Sequence, residues 1–331
     1  MSLRRSFAAA AVVAVTVAFA ADAFASPWGL QPGDFYSELS GSLFSSQSYF
    51  RDSDEARIAL GGRLEERVVR SRNEFGWKKW ATVWIDMPLV SRSFVPDGAV
   101  GSNSTGLGDL DMGLRFPWHV GALPMAFELG WTLPLGSNRA LFPGTSGSGG
   151  LNGAALVGRS SIPLQDTSTF FSQGLTSGMT NLEIGGTAGK RAYWTLGAGY
   201  RTSFLSVASR DTADRFADFT TASASLGIWF TNSLLVSGDF RGEWQVSEGG
   251  AYDRILEPAG TPLGPELKTT RMLAGPRFTY RVDERMDVFA GSWHTPGGRN
   301  ALHLDQYYCG IAWKHTGLDR LAGALGGTKA H

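Results

Sequence analysis

The sequence predicts an all-β fold, a transmembrane antiparallel up-and-down β-barrel of about twelve strands. Three observations lead there: side chains alternate between apolar and polar at period two over long stretches, short and long connections alternate along the chain, and no apolar run after residue 25 is long enough for a membrane-spanning helix.

The first 25 residues read as a secretory signal peptide and fall outside the fold. Arg4 and Arg5 form a positive start, an apolar stretch covers 8–19, and Ala23-Phe24-Ala25 has the small-x-small pattern that precedes cleavage. Residues 26–315 are then expected to form one barrel and residues 316–331 a C-terminal tail. The expected location is the outer membrane of a Gram-negative bacterium, after cleavage near Ala25.

Composition narrows the function classes. Thirty basic residues balance thirty acidic ones in 331, so no excess charge points to nucleic acid. A single cysteine, Cys309, excludes a disulfide framework and a multi-cysteine metal site. The five histidines lack metal-ligand spacing, and there is no Gly-x-Ser-x-Gly elbow. No cofactor or metal is expected, and no enzymatic activity.

Strands are expected near 34–46, 57–73, 78–91, 105–117, 122–135, 176–189, 191–205, 216–230, 233–247, 267–281, 285–297 and 302–315. Leu110, Met112, Leu114 and Phe116 fall on one face, with Asp109, Asp111, Gly113 and Arg115 on the other. The same sorting separates Met125, Phe127, Leu129 and Trp131 from Ala126, Glu128 and Gly130, and Phe240 and Trp244 from Asp239, Arg241 and Glu243. A helix would scatter these sets around its axis; a strand separates them.

The connections at 74–77, 118–121, 190, 231–232 and 282–284 are short. Those at 47–56, 92–104, 136–175, 206–215 and 248–266 are longer. The last hairpin, around 295–301, has a short outer loop. Such segregation fits short periplasmic turns and long extracellular loops. The apolar stretch 151–162 within 136–175 leaves three options: an extra hairpin, a plug in the lumen, or two more strands, which would make fourteen.

The polar faces carry charges of both signs: Arg63, Glu65 and Arg67; Asp109, Asp111 and Arg115; Asp239, Arg241 and Glu243. In a barrel they line an aqueous interior, and aromatics near strand ends (Phe116, Trp118, Trp131, Tyr200, Trp229, Phe230, Phe278, Tyr280 and Trp313) form girdles at the membrane surfaces. The candidate lumen or constriction residues are Asp109, Asp111, Arg115, Glu128, Glu183, Arg201, Asp239, Arg241, Glu243, Arg271 and Arg277. The Asp239–Arg241–Glu243 ladder reads equally as a constriction and as a salt-bridge network. Gly106-Leu107-Gly108-Asp109 has neither the third glycine nor the following helix of a phosphate loop, so its glycines serve strand packing. Cys309 shares a strand face with Tyr307, Ile311 and Trp313, as a small apolar residue facing lipid or a neighbour would.

Several segments resemble an outer-membrane transporter family linked to operons for phenol meta-cleavage degradation. They are residues 28–36 (Trp-Gly-Leu-Gln-Pro-Gly-Asp-Phe-Tyr), Met87-Pro88-Leu89-Val90, residues 105–115 (Thr-Gly-Leu-Gly-Asp-Leu-Asp-Met-Gly-Leu-Arg), residues 131–136 (Trp-Thr-Leu-Pro-Leu-Gly) and Gly297-Gly298-Arg299-Asn300. The resemblance implies a barrel for passive uptake of small, aromatic or apolar molecules. Its expected partners are outer-membrane lipid, the barrel assembly machinery and a small-molecule solute. Two features depart from the family: a heavily charged second strand, and a tail beyond Trp313, the aromatic that assembly would read. A structural or adhesive barrel with a closed lumen is the alternative, and an outer-membrane lipase a more distant one.

Overall fold

The computed structural model describes residues 29–50, 57–98, 102–133, 135, 175–189, 191–206, 218–246, 270–299 and 301–315. The signal peptide, most of the connection 136–175 with its apolar stretch, and the tail 316–331 lie outside them.

Among the described residues thirteen strands form one closed antiparallel sheet: β1 (Phe35–Phe50), β2 (Arg57–Lys78), β3 (Ala81–Pro96), β4 (Ser102–Leu107), β5 (Leu110–Val120), β6 (Leu123–Leu133), β7 (Leu175–Ala188), β8 (Ala192–Ser206), β9 (Phe219–Trp229), β10 (Leu234–Gln245), β11 (Thr270–Arg281), β12 (Met286–Arg299) and β13 (Ala301–His315). β4 and β5 both pair with β3 and share one place in the wall, so the ring has twelve positions. Apart from β4 and β5, which do not pair with each other, each strand pairs with its neighbours in sequence, and β1 closes on β13, Ser37 opposite Trp313. The fourteen-strand alternative fails because β6 pairs directly with β7, from Met125↔Ile184 to Thr132↔Ser177, which leaves no place between them.

The strands are much longer than those of soluble sheets; β2 has 22 residues and β12 has 14. At one end the connections are tight. Gly121 and Gly189 take positive φ of 61° and 67°, a left-handed conformation that costs a glycine little. In the 283–286 turn the Asp283 carboxylate accepts the backbone N–H groups of Arg285 and Met286. Phe35, where β1 begins, and His315, where β13 ends, lie at this short-turn end, which in outer-membrane barrels faces the periplasm. The opposite end carries the long connections.

Strand 2 runs five residues beyond its expected end, so the expected 74–77 connection is strand and the turn sits at 79–80. The expected strand 105–117 is broken. Asp86 faces Asp111 and Leu89 faces Leu107, so the two residues Met87 and Pro88 oppose the three at 108–110, a one-residue bulge. Pro88 has no N–H to continue the ladder, but its carbonyl accepts the Gly108 N–H at 2.8 Å. Because side chains alternate at period two, the bulge inverts the phase. Odd residues face inward in β5, whereas Leu107 in β4 faces outward. Asp109 therefore sits at the break, one residue before β5 begins.

The outer wall is apolar. Val83, Ile85, Met87 and Leu89 on β3, Leu39 and Leu43 on β1, and Leu196, Leu226 and Ile228 on β8 and β9 are all exposed. An apolar belt of this extent suits lipid and would be a liability in water. At the short-turn end Trp77, Trp80, Phe116 and Phe127 form a run of rings with successive centroids 6.1, 6.1 and 6.4 Å apart. Phe230 and Tyr280 extend this girdle. Trp229, expected there, faces inward instead, with the Arg281 guanidinium 4.6 Å above its ring. The strand phase is the reason, since Ile228 and Phe230 on either side point outward. Cys309 is exposed on the outer wall, beside Tyr307.

Candidate functional site: the lumen

The inward-facing side chains are polar over most of the barrel height. On β2, β3, β5 and β6 they form a cross-strand network. Arg72 Nε meets Glu74 Oε1 at 2.9 Å, Arg115 Nη1 donates to Glu74 Oε2 at 3.0 Å, and Arg115 Nη2 lies 3.6 Å from Glu128 Oε1. Arg72 Nη2 also reaches Glu128, at 3.9 Å, and Arg70 pairs with Asp86 at 3.4 Å. Arg92 and Glu66 pair nearer the loop end. Glu74, Arg92, Arg115 and Glu128 are shielded from bulk water, so each of these charges depends on its partner to offset desolvation.

Trp84 lies at the centre of this wall, 2% exposed, with the Arg72 guanidinium 5.3 Å above its ring. It lies flat because Gly113 and Gly130 open a niche on β5 and β6. A Cβ on Gly113 would stand 2.7 Å from the indole, and one on Gly130 would stand 3.0 Å from it. The same device recurs around the ring. Tyr193 covers Gly227, Tyr308 covers Gly291 and Phe289 covers Gly310, each directly across a strand pair. Aromatic rings thus line the wall without projecting across the lumen.

Towards the loop end the interior turns apolar. Phe44, Leu64, Phe94, Leu302 and Leu304 form a buried cluster across β1, β2, β3 and β13, with Leu273 of β11 packed against it. At the short-turn end the segment before β1 enters the mouth. The Leu30 N–H donates to Thr82 Oγ1 at 3.1 Å, the Gly33 N–H to the Gly76 carbonyl at 2.8 Å, and Gly29 packs on Pro117. Thr82, Gly76 and Pro117 all belong to inward faces.

The wall of β8 to β13 carries a second set of arginines. Arg271 pairs with Glu243 at 2.7 Å, and Asp287 holds Arg281 at 3.6 Å and Lys314 at 3.7 Å. Arg201, Arg241 and Arg277 instead lie over the rings of Phe219, Trp293 and Phe289, at 5.2, 5.7 and 4.3 Å.

Of the residues expected from the sequence, Arg115 and Glu128 belong to the first network. Arg201, Asp239, Arg241, Glu243, Arg271 and Arg277 line the opposite wall. Asp111 accepts a hydrogen bond from Thr132 Oγ1 at 2.6 Å, Glu183 one from Asn181 at 3.1 Å, and Asp239 one from Ser225 at 2.6 Å. Asp109 lies in the bulge. The row Arg63, Glu65 and Arg67, expected on the lumen face, points outward near the loop end. Leu64 between them is buried in the interior cluster, while Arg63 pairs with Glu65 at 2.9 Å and reaches Ser45 on the outside. Both faces of β2 are charged there, so alternation alone gives no direction. Sequence reasoning also missed Arg72, Glu74, Trp84 and Asp86. For Arg72 and Glu74 the signal was present in Arg70-x-Arg72-x-Glu74, an alternation running through the expected strand end.

Among the described residues no group of three or more His, Cys, Asp or Glu is placed to hold a metal ion. No family model matches the chain, and no curated protein matches it by sequence. The solved structures do contain similar folds. The crystal structure of an outer-membrane channel from Pseudomonas putida F1 aligns with a TM-score of 0.64 at 8% identity, covering 89% of this chain and 100% of that one. The NanC porin aligns at 0.46 and 8% identity, and the KdgM porin in complex with disordered oligogalacturonate at 0.41 and 6%; each pairing covers 84% of this chain and 98% of the other. At these identities the likeness is one of architecture: the chain has the fold of an outer-membrane β-barrel.

Proposed function

We propose that the chain is a passive outer-membrane channel for small molecules, aromatic ones among them. The observation that carries this is the composition of the inner wall. It combines charged groups with aromatic rings seated flat over glycines and an apolar cluster at the loop end. An enclosed conduit of this kind offers partial desolvation and ring contacts to an aromatic solute while its charges keep water in contact with the wall. The fold shared with the Pseudomonas putida channel supports the reading, as does the resemblance to transporters linked to aromatic degradation. Asp109, Asp111, Arg115, Glu128, Glu183, Arg201, Asp239, Arg241, Glu243, Arg271 and Arg277 are proposed to set the width and field of the conduit. The proposed setting is the Gram-negative outer membrane, reached after signal cleavage near Ala25 and insertion by the barrel assembly machinery.

Liposomes containing the refolded chain should release benzenesulfonate, an aromatic solute that crosses lipid slowly, faster than protein-free liposomes. Equal rates would reject the channel. They would favour the second reading, a structural barrel with a closed interior, which the Arg72–Glu74–Arg115–Glu128 network supports.

A further inference from the structure

The arginines of the β8–β13 wall follow one another down the barrel. From the loop end the order is Arg201, Arg271, Arg241, Arg277 and Arg281, as set by the register Phe219↔Gln245, Glu243↔Arg271, Arg241↔Leu273 and Ser237↔Arg277. Arg271 and Arg281 are ion-paired. Arg201, Arg241 and Arg277 have no carboxylate within salt-bridge distance among the described residues. Of the two acidic residues two positions from Arg241, Glu243 is held by Arg271 and Asp239 is turned towards β9 by the Ser225 hydroxyl.

Each of these three guanidiniums is laid over an aromatic ring, which leaves the edge of its planar fork available. Trp293 under Arg241 stacks in turn on Tyr308, with centroids 6.3 Å apart and planes 26° apart. Tyr308 and Phe289 occupy the glycine niches beside Arg277. A guanidinium fork beside a flat ring matches one ligand chemistry, a carboxylate attached to an aromatic ring. The carboxylate takes the fork and the ring adds to the stack. On the opposite wall the acidic groups are engaged, Glu74 and Glu128 by arginine, Asp111 and Glu183 by neutral donors.

We propose that Arg241 and Arg277, with Trp293, Phe289 and Tyr308, form a binding station for small aromatic carboxylates, which makes anionic aromatics the favoured solutes of the lumen. This builds on the channel reading, but the station can be tested without any flux. Equilibrium dialysis of benzoate against the folded, detergent-solubilised full chain should show saturable binding. Benzylammonium and benzyl alcohol should not compete. The double variant R241Q/R277Q should bind benzoate at least about tenfold more weakly, the weight of one charge-assisted hydrogen bond. R241K should weaken binding less, since it keeps the charge and loses the fork. Heat-modifiable gel migration confirms that each variant is folded. Benzoate binding that survives R241Q/R277Q in a folded barrel, or equal competition by benzylammonium, would overturn the station. So would an absence of saturable binding in the wild-type chain. Binding without liposome flux would retain the station and reject the channel.

Discussion

Arg115 on β5 donates to Glu74 on β2 at 3.0 Å, although β3 lies between these strands and pairs with both. The bond reaches over Thr82, which is completely buried beneath it in register with Arg115. It couples strands that share no backbone hydrogen bond, so it braces the curvature of the wall as well as satisfying two shielded charges.

Breaking that pair should be expensive. Glu74→Gln or Arg115→Met alone should lower stability by about 3–5 kcal/mol, because each leaves its partner charged and shielded. The double apolar variant should recover much of the loss. Urea unfolding in detergent micelles, arranged as a double-mutant cycle, reads the coupling. Additive losses would show that the two groups act independently.

The glycine niches make a sharper structural prediction. Gly113→Ala should destabilise the barrel by about 1–3 kcal/mol, since the new Cβ meets both the Leu129 carbonyl at 2.1 Å and the Trp84 ring. Gly41→Ala and Gly238→Ala, where nothing lies within 4 Å, should be nearly neutral. Unfolding midpoints of the three variants compare them directly.

The outer wall tests the membrane assignment. Leu182 is exposed midway along β7. Leu182→Arg should cost about 2–4 kcal/mol when the chain is folded in bilayers, the penalty for a cation near the midplane. Arg63→Leu, at the loop end of the same outer surface, should have little effect. Equal tolerance of both substitutions would contradict a lipid-facing wall.

Cys309 provides a chemical probe, being the single cysteine of the chain and exposed among apolar outer residues. In proteoliposomes a membrane-soluble maleimide should label it and a sulfonated, water-soluble maleimide should not. Efficient labelling by the sulfonated reagent would place the residue in water.

The segment before β1 should narrow the short-turn mouth. Deleting residues 29–33 should raise single-channel conductance in planar bilayers, because Leu30 and Gly33 are tied to Thr82 and Gly76 inside that mouth. Unchanged conductance would place the narrowest point elsewhere, such as the apolar cluster around Phe44 and Leu304.

Long period-two alternation and segregated connections set the class, the strand count and most strand positions, because a residue's side of the sheet is a local property of the backbone. The inward direction of Arg241 and Glu243 was legible in the same way, since one face of β10 is plainly apolar. Three features needed the closed ring. The Pro88 bulge inverts the phase of one strand, and a ladder defect shows only when two strands are paired. Arg63, Glu65 and Arg67 face outward because Leu64 joins a cluster assembled from four strands. The Arg115–Glu74 bond and the arginine–aromatic row of β8 to β12 depend on register, shear and curvature. Those quantities belong to the closed sheet as a whole, and no single strand encodes them.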